Sequence, residues 1–211
     1  QAQVLQQVEK LLDSGAGSWL SADALQILRT QLIFFRAQQA YFTNQTTRAI
    51  DLCREVLAIF PSSWMLVRGG AMMYLSMAMQ AGGQAPDAER MLLGDYESYG
   101  DRTDLYALFL LESLGFTYIN SGRFEQTGRI AQVLLQAAIH SRIAIMKNWG
   151  DWFLGVVCYQ RNELDVAAQH FTQIVDNRYT AQLAAYRDAI AGLTLIHQSR
   201  GETFEAWELV E

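Results

Sequence analysis

The side chains best suited to hold a ligand are a row of cations and a group of rings. Arg29, Arg68 and Lys147, with Arg187 one residue out of phase, recur at one position of a repeating pattern. Trp149, Trp152 and Tyr159 share one predicted helix, and Tyr41 stands in phase with Tyr159. Cationic groups beside aromatic faces suit an anionic or aromatic ligand, or an acidic peptide segment. Nothing comparable supports catalysis. Glu112, Asp151, Glu163 and Asp165 form no paired acid/base spacing, and there is no GxxxxGK[ST], GxGxxG or HExxH. His140, His170 and His197 fall at different positions of different repeats, which disfavours a metal centre. The chain is expected to be no enzyme, with no catalytic residue, metal or cofactor.

The scaffold that positions these groups is all-α. Only two prolines interrupt 211 residues, and the strand-and-turn signature of a sandwich or barrel is thin. Apolar residues make up 51% against 18% charged, enough for an extensive core. No apolar run approaches the roughly 18 residues that span a bilayer, so no membrane association is expected. A formal charge of −6 and a pI of about 5.1 disfavour direct nucleic-acid binding. Cys53 and Cys158 lie far apart without a CxxC, as buried, reduced thiols of a cytoplasmic protein would. The chain opens at Gln1 with no signal-peptide pattern and reads as a piece of a larger protein.

The chain repeats. Asn44, Gly83, Gly122, Asn162 and Gly201 follow one another at intervals of 39 or 40 residues, and all tolerate a left-handed turn between helices. Seven residues before each turn stand Ala37, Ser76, Gly115, Gly155 and Thr194, and five residues after it Ala49, Ala88, Thr127, Ala167 and Ala206. The pattern predicts hairpins of a helix A and a helix B, with small residues letting A and B pack closely. Ser21, Ser62, Asp101, Ser141 and Thr180 are the expected N-caps of successive A helices.

Leu114-Gly115-x-x-Tyr118-x-x-x-Gly122 resembles the first half of a tetratricopeptide motif, and Ala49-x-x-x-Cys53 through Pro61 its second half. The longer period, with segments such as Gly83–Leu92 and Arg161–Phe171, is similar to the helical-repeat region of MalT-like, LuxR-type transcriptional regulators. The resemblance implies a right-handed superhelical solenoid of antiparallel helix pairs, TPR-like, flanked in the parent regulator by an ATPase module and a helix-turn-helix module. It implies a sensor and signal-relay role whose partners are protein segments or flanking domains of the parent chain, with a possible small-molecule effector. A passive TPR protein-interaction adaptor is the alternative.

Along the chain, residues 1–13 form an amphipathic helix with Val4, Leu5, Val8, Leu11 and Leu12 on one face, and 14–20 form a linker. Residues 21–211 hold about five hairpins, roughly 21–61, 62–100, 101–140, 141–179 and 180–211. The last is truncated inside helix B, leaving Trp207, Leu209 and Val210 uncovered. In such an array helices A line the concave face. There the positions three before the small column (Phe34, Met73, Glu112, Trp152, Ala191) and six before it (Gln31, Gly70, Phe109, Trp149, Asp188) are expected to form an exposed groove.

Overall fold

The turn residues are the key to the architecture, because each fixes where one helix must stop and the next begin. A computed structural model of the chain describes residues 2–15 and 20–210. Residues 16–19, most of the expected linker, lie outside the described residues. Eleven helices run through the described residues: α1 (Ala2–Asp13), α2 (Ala22–Phe42), α3 (Thr46–Ile59), α4 (Met65–Ala81), α5 (Ala85–Tyr99), α6 (Leu105–Asn120), α7 (Phe124–Ser141), α8 (Ala144–Gln160), α9 (Leu164–Asp176), α10 (Leu183–Arg200) and α11 (Thr203–Glu208). There is no strand among the described residues.

Asn44, Gly83, Gly122, Asn162 and Gly201 all adopt positive φ, between 58° and 78°. In every turn the same two bonds close the helix. The turn residue's N–H donates to the carbonyl three residues back and the next N–H to the carbonyl five back, as in Gly122 to Ile119 and Arg123 to Tyr118. This is the left-handed helix stop that glycine favours and asparagine tolerates. Its recurrence joins α2 to α3, α4 to α5, α6 to α7, α8 to α9 and α10 to α11 as successive hairpins.

The chain divides into two compact units, Gln1–Ser98 and Tyr99–Glu211. In the first, a core of Val56, Phe60, Val67 and Ala71 is covered by Ile33, Phe34, Leu57 and Trp64, locking α2, α3 and α4 together. Helix α1 packs on α2 through a narrower stripe than its sequence suggests. Leu5 is buried and Val8 and Leu12 half-buried, but Val4 and Leu11 are exposed. Met72 and Met79 are buried on α4, as core filler rather than an adaptable surface.

In the second unit, α6 packs on α7 and α8, α8 on α9, and α10 on α8 and α9. The small-residue column is buried at Gly115 and Gly155, and the helix-B column at Thr127, Ala167 and Ala206. The partners of the small residues need correcting, however. A Cβ on Gly155 would lie 2.6 Å from the ring of Phe171, on its own helix B, as expected. A Cβ on Gly115 would lie 2.6 Å from the ring of Phe153, which belongs to α8, the next helix A. The glycine therefore admits a ring across the seam between successive A helices.

The expected caps are also corrected in four of five cases. Ser21 does cap α2, accepting from the Ala24 N–H at 3.2 Å. The other A helices start two or three residues later, at Trp64, Asp104, Ile143 and Gln182. Of these only Asp104 uses its side chain, accepting from the N–H groups of Tyr106 and Ala107. Ser141 is instead the last residue of α7 and donates to the Thr103 carbonyl at 2.6 Å. Thr180 donates to the Asn177 carbonyl. These hydroxyls satisfy loop carbonyls, so they finish one segment rather than start the next.

Replacing Gly115 by Leu is expected to destabilise the chain by about 1–3 kcal/mol or more, because Phe153 leaves no room for a side chain. In a Phe153→Ala background the same replacement costs less. Urea unfolding of the double-mutant cycle checks this, and strict additivity would contradict the contact.

Candidate functional site

The four cations do not form a free basic row. Arg29 lies 3.8 Å from Asp13 and lines a hollow between α1 and α2. Arg68 donates to the carbonyls of Leu57 and Phe60 at 2.8 and 2.9 Å, closing the C-terminal end of α3. Lys147 reaches Asp151 at 2.7 Å, and Arg187 pairs with its neighbour Asp188. Each positive charge stands beside an acid or helix-end carbonyls, although the pairs of Arg29 and Arg187 are exposed and held only lightly.

The rings divide between core and surface. Trp149 is 4% exposed, packed edge-on against Phe116 and Trp152 with centroids 5.1 and 5.6 Å away. Phe116 touches Trp152 and Phe153 as well. These four rings fill the seam between α6 and α8. Tyr41 sits in the first unit, half-buried against Phe42 and Tyr74, and belongs to a separate ring cluster. The positions three and six before the small column are therefore seam residues over much of the chain. Gly70, Phe109, Glu112 and Trp149 are all buried.

Two acids are buried in this second unit, with opposite surroundings. Asp151 accepts from Lys147 and stands 3.1 Å from His170 Nδ1. Glu112, fully enclosed, has neither carboxyl oxygen hydrogen-bonded, and the Asn148 amide nitrogen and Trp149 Nε1 are also without partners. Burial pushes the Glu112 carboxyl up to about 8. Burial likewise raises the Cys53 thiol to about 12, and burial, with a side-chain hydrogen bond to Glu163, raises Cys158. Among the described residues no group of three His, Cys, Asp or Glu is arranged to hold a metal. No helix among them is long and apolar enough to cross a membrane.

Where the α6/α8 seam is full, the α8/α10 seam is open. Thirty-nine residues after Trp149, Trp152 and Phe153 come Asp188, Ala191 and Gly192, so three rings are answered by a carboxylate, a methyl group and a hydrogen. The result is a groove of about 270 Å³ walled by Trp152, Val156 and Tyr159 on α8 and by Gly192 and Leu195 on α10. Its floor is Phe171, wedged so that a Cβ on Gly155 or on Gly192 would lie within 2.6 Å of its ring. Asp188 and Gln160 supply the polar edge. Trp152 and Tyr159 thus meet in one site, and Arg29, Tyr41, Arg68, Lys147, Trp149 and Arg187 are not part of its lining. The signal for Gly192 and Leu195 lay in comparing successive repeats position by position.

Left-handed stops at one period, buried small columns and rings set into glycine hollows define an all-α repeat protein of the TPR-like solenoid class. The chain belongs to the MalT-like TPR region family, whose model matches residues 32–211. Solved structures of similar fold include a putative kinesin light chain with nearly identical TPR-like repeats from Podosopora anserina. That protein has 17% identity and a TM-score of 0.59, with 86% of this chain and 92% of the other covered. BtubC (BKLC) from P. vanneervenii aligns with a TM-score of 0.68 at 13% identity, covering 98% of this chain and 86% of that one. The apo form of RapI gives 0.60 at 12% identity, over 99% of this chain and 57% of its own. At such identities the likeness is one of fold. No curated protein matches the chain.

The buried acid yields a test with a definite sign. The folded chain keeps the Glu112 proton up to about pH 8, whereas an ordinary carboxyl releases it near 4.5. Between those values the unfolded chain binds fewer protons, so this group makes stability fall as pH rises from about 4.5 to about 8. Glu112→Gln removes that dependence and makes the chain more stable than wild type at pH 8. Urea titrations at pH 5 and pH 8 measure it, and an unchanged pH slope in the variant would show that Glu112 is not the source.

Proposed function

We propose that this chain is a non-catalytic binding and signal-relay segment of a larger cytoplasmic regulator, a MalT-like, LuxR-type transcriptional regulator, and that the α8/α10 groove receives a partner segment. The observation that carries this reading is the replacement of Trp149, Trp152 and Phe153 by Asp188, Ala191 and Gly192 one repeat later, which leaves an apolar recess where the preceding seam is filled. Membership of the MalT-like family supports the regulator context. The recess is an open, mainly apolar groove along the helices, a form that suits a protein segment. It suits one or two anchoring side chains from a flanking domain of the parent chain or from another protein.

Relay requires that the partner favour one arrangement of the helices over another. The ring-filled α6/α8 seam adjoins the groove through Trp152, which belongs to both. Partner binding is therefore expected to slow amide exchange in α8 and α10 and to alter it in α6. Changes confined to α8 and α10 would instead favour a passive adaptor.

Ala191 is exposed and lines the groove, so Ala191→Trp fills the recess without entering the core. In the parent regulator this variant is expected to fold normally by circular dichroism and to lose about tenfold or more of its response to the activating signal. A full response in a folded variant would overturn the proposal.

A further inference from the structure

The groove also specifies the charge of what enters it. Among its lining residues Asp188 carries the only charged side chain, and no Lys or Arg lines it. In register, Asp188 stands where the preceding repeat has Trp149, and it is half-buried beside the apolar wall of Leu195 and Gly192. Its present partner faces solvent. Both Arg187 nitrogens, Nε at 2.9 Å and Nη2 at 2.8 Å, go to the same oxygen, Oδ1. Arg187 is the adjacent residue, its side chain is 73% exposed, and it lies outside the groove. An exposed pair of this kind exchanges readily, so Asp188 is available to a cation arriving from the groove side.

The nearest cation on α8 is no rival. Lys147 is held by Asp151, which is buried and also faces His170. The unit as a whole has nine basic and thirteen acidic residues between Tyr99 and Glu211, a formal balance of −4. The summed charge of the unit is negative, and on the groove side an acidic segment would meet Asp188 with no Lys or Arg in the lining, the one cation beside it being the solvent-facing Arg187.

Resting on the proposed partner groove, we infer that its occupant is a peptide segment with a bulky apolar anchor next to a Lys or Arg. The anchor lies over Phe171 between Trp152 and Leu195, where Asp188 and Ala191 stand in place of Trp149 and Trp152. The cation sits on Asp188, and the Tyr159 hydroxyl and Gln160 amide remain for neutral hydrogen bonds. This reverses the acidic preference suggested by the row of Arg29, Arg68, Lys147 and Arg187.

The test is selection of a random dodecapeptide display library on the 211-residue chain, with Ala191→Trp as counter-target. Enriched peptides are expected to carry Leu, Met, Phe or Trp within a few positions of Lys or Arg, and to lose binding to Ala191→Trp. Asp188→Asn should weaken such a peptide by about tenfold and leave its Arg→Met version unaffected, with thermal unfolding confirming that both variants fold. Groove-dependent peptides that are acidic or neutral, or an unchanged affinity for Asp188→Asn, would overturn the charge assignment and leave the groove standing. Enrichment of no peptide that distinguishes wild type from Ala191→Trp would remove the groove reading itself, and the charge assignment with it.

Discussion

Phe153 and Phe171 reach so deeply into neighbouring helices that the residues they meet can carry no side chain. Phe153 enters α6 at Gly115, and Phe171 fits between Gly155 and Gly192. Packed interiors leave few voids larger than water, so the helices of the second unit approach only as far as these rings and hollows permit. The separation of α6 from α8, and of α9 from both α8 and α10, follows from that constraint. Polar groups are buried in the same unit. Asp151 is enclosed with two partners, whereas Glu112 is enclosed with none.

The register of the array is written plainly in the chain because left-handed stops admit few residue types. Asn44, Gly83, Gly122, Asn162 and Gly201 announce themselves by identity and spacing alone. The small column was equally visible, but a period does not say whether a small residue faces its own helix B or the next helix A. Gly155 does the first and Gly115 the second. Caps were less legible because Ser, Thr and Asp bond carbonyls as well as N–H groups. Ser141 and Thr180 serve in that capacity.

The binding residues were harder still. Arg68 and Lys147 look like members of one exposed row, yet α3's terminal carbonyls claim the first and Asp151 the second. The α3 carbonyls lie on another helix, out of reach of any pattern within helices A, whereas Asp151 stands four residues after Lys147 on the same face of α8, a pairing the spacing did carry. Trp149 and Trp152 stand one turn apart on one helix, but only Trp152 reaches a groove. Trp149 is covered by Phe116, a residue of the preceding repeat. What the sequence did hold was the contrast between neighbouring repeats, from three rings to Asp188, Ala191 and Gly192.

That contrast has a consequence for how such an array diversifies. Because every repeat presents equivalent positions, an open recess is not tied to one place along the chain. Exchanging Trp149 and Trp152 with Asp188 and Ala191 would fill much of one seam and open the other, while Gly192, which Phe171 keeps bare, the turn residues and the small columns stayed untouched. Recognition and folding are thus written at different positions of the same repeat. A lineage of these proteins can move its docking point by whole hairpin steps without rebuilding the scaffold.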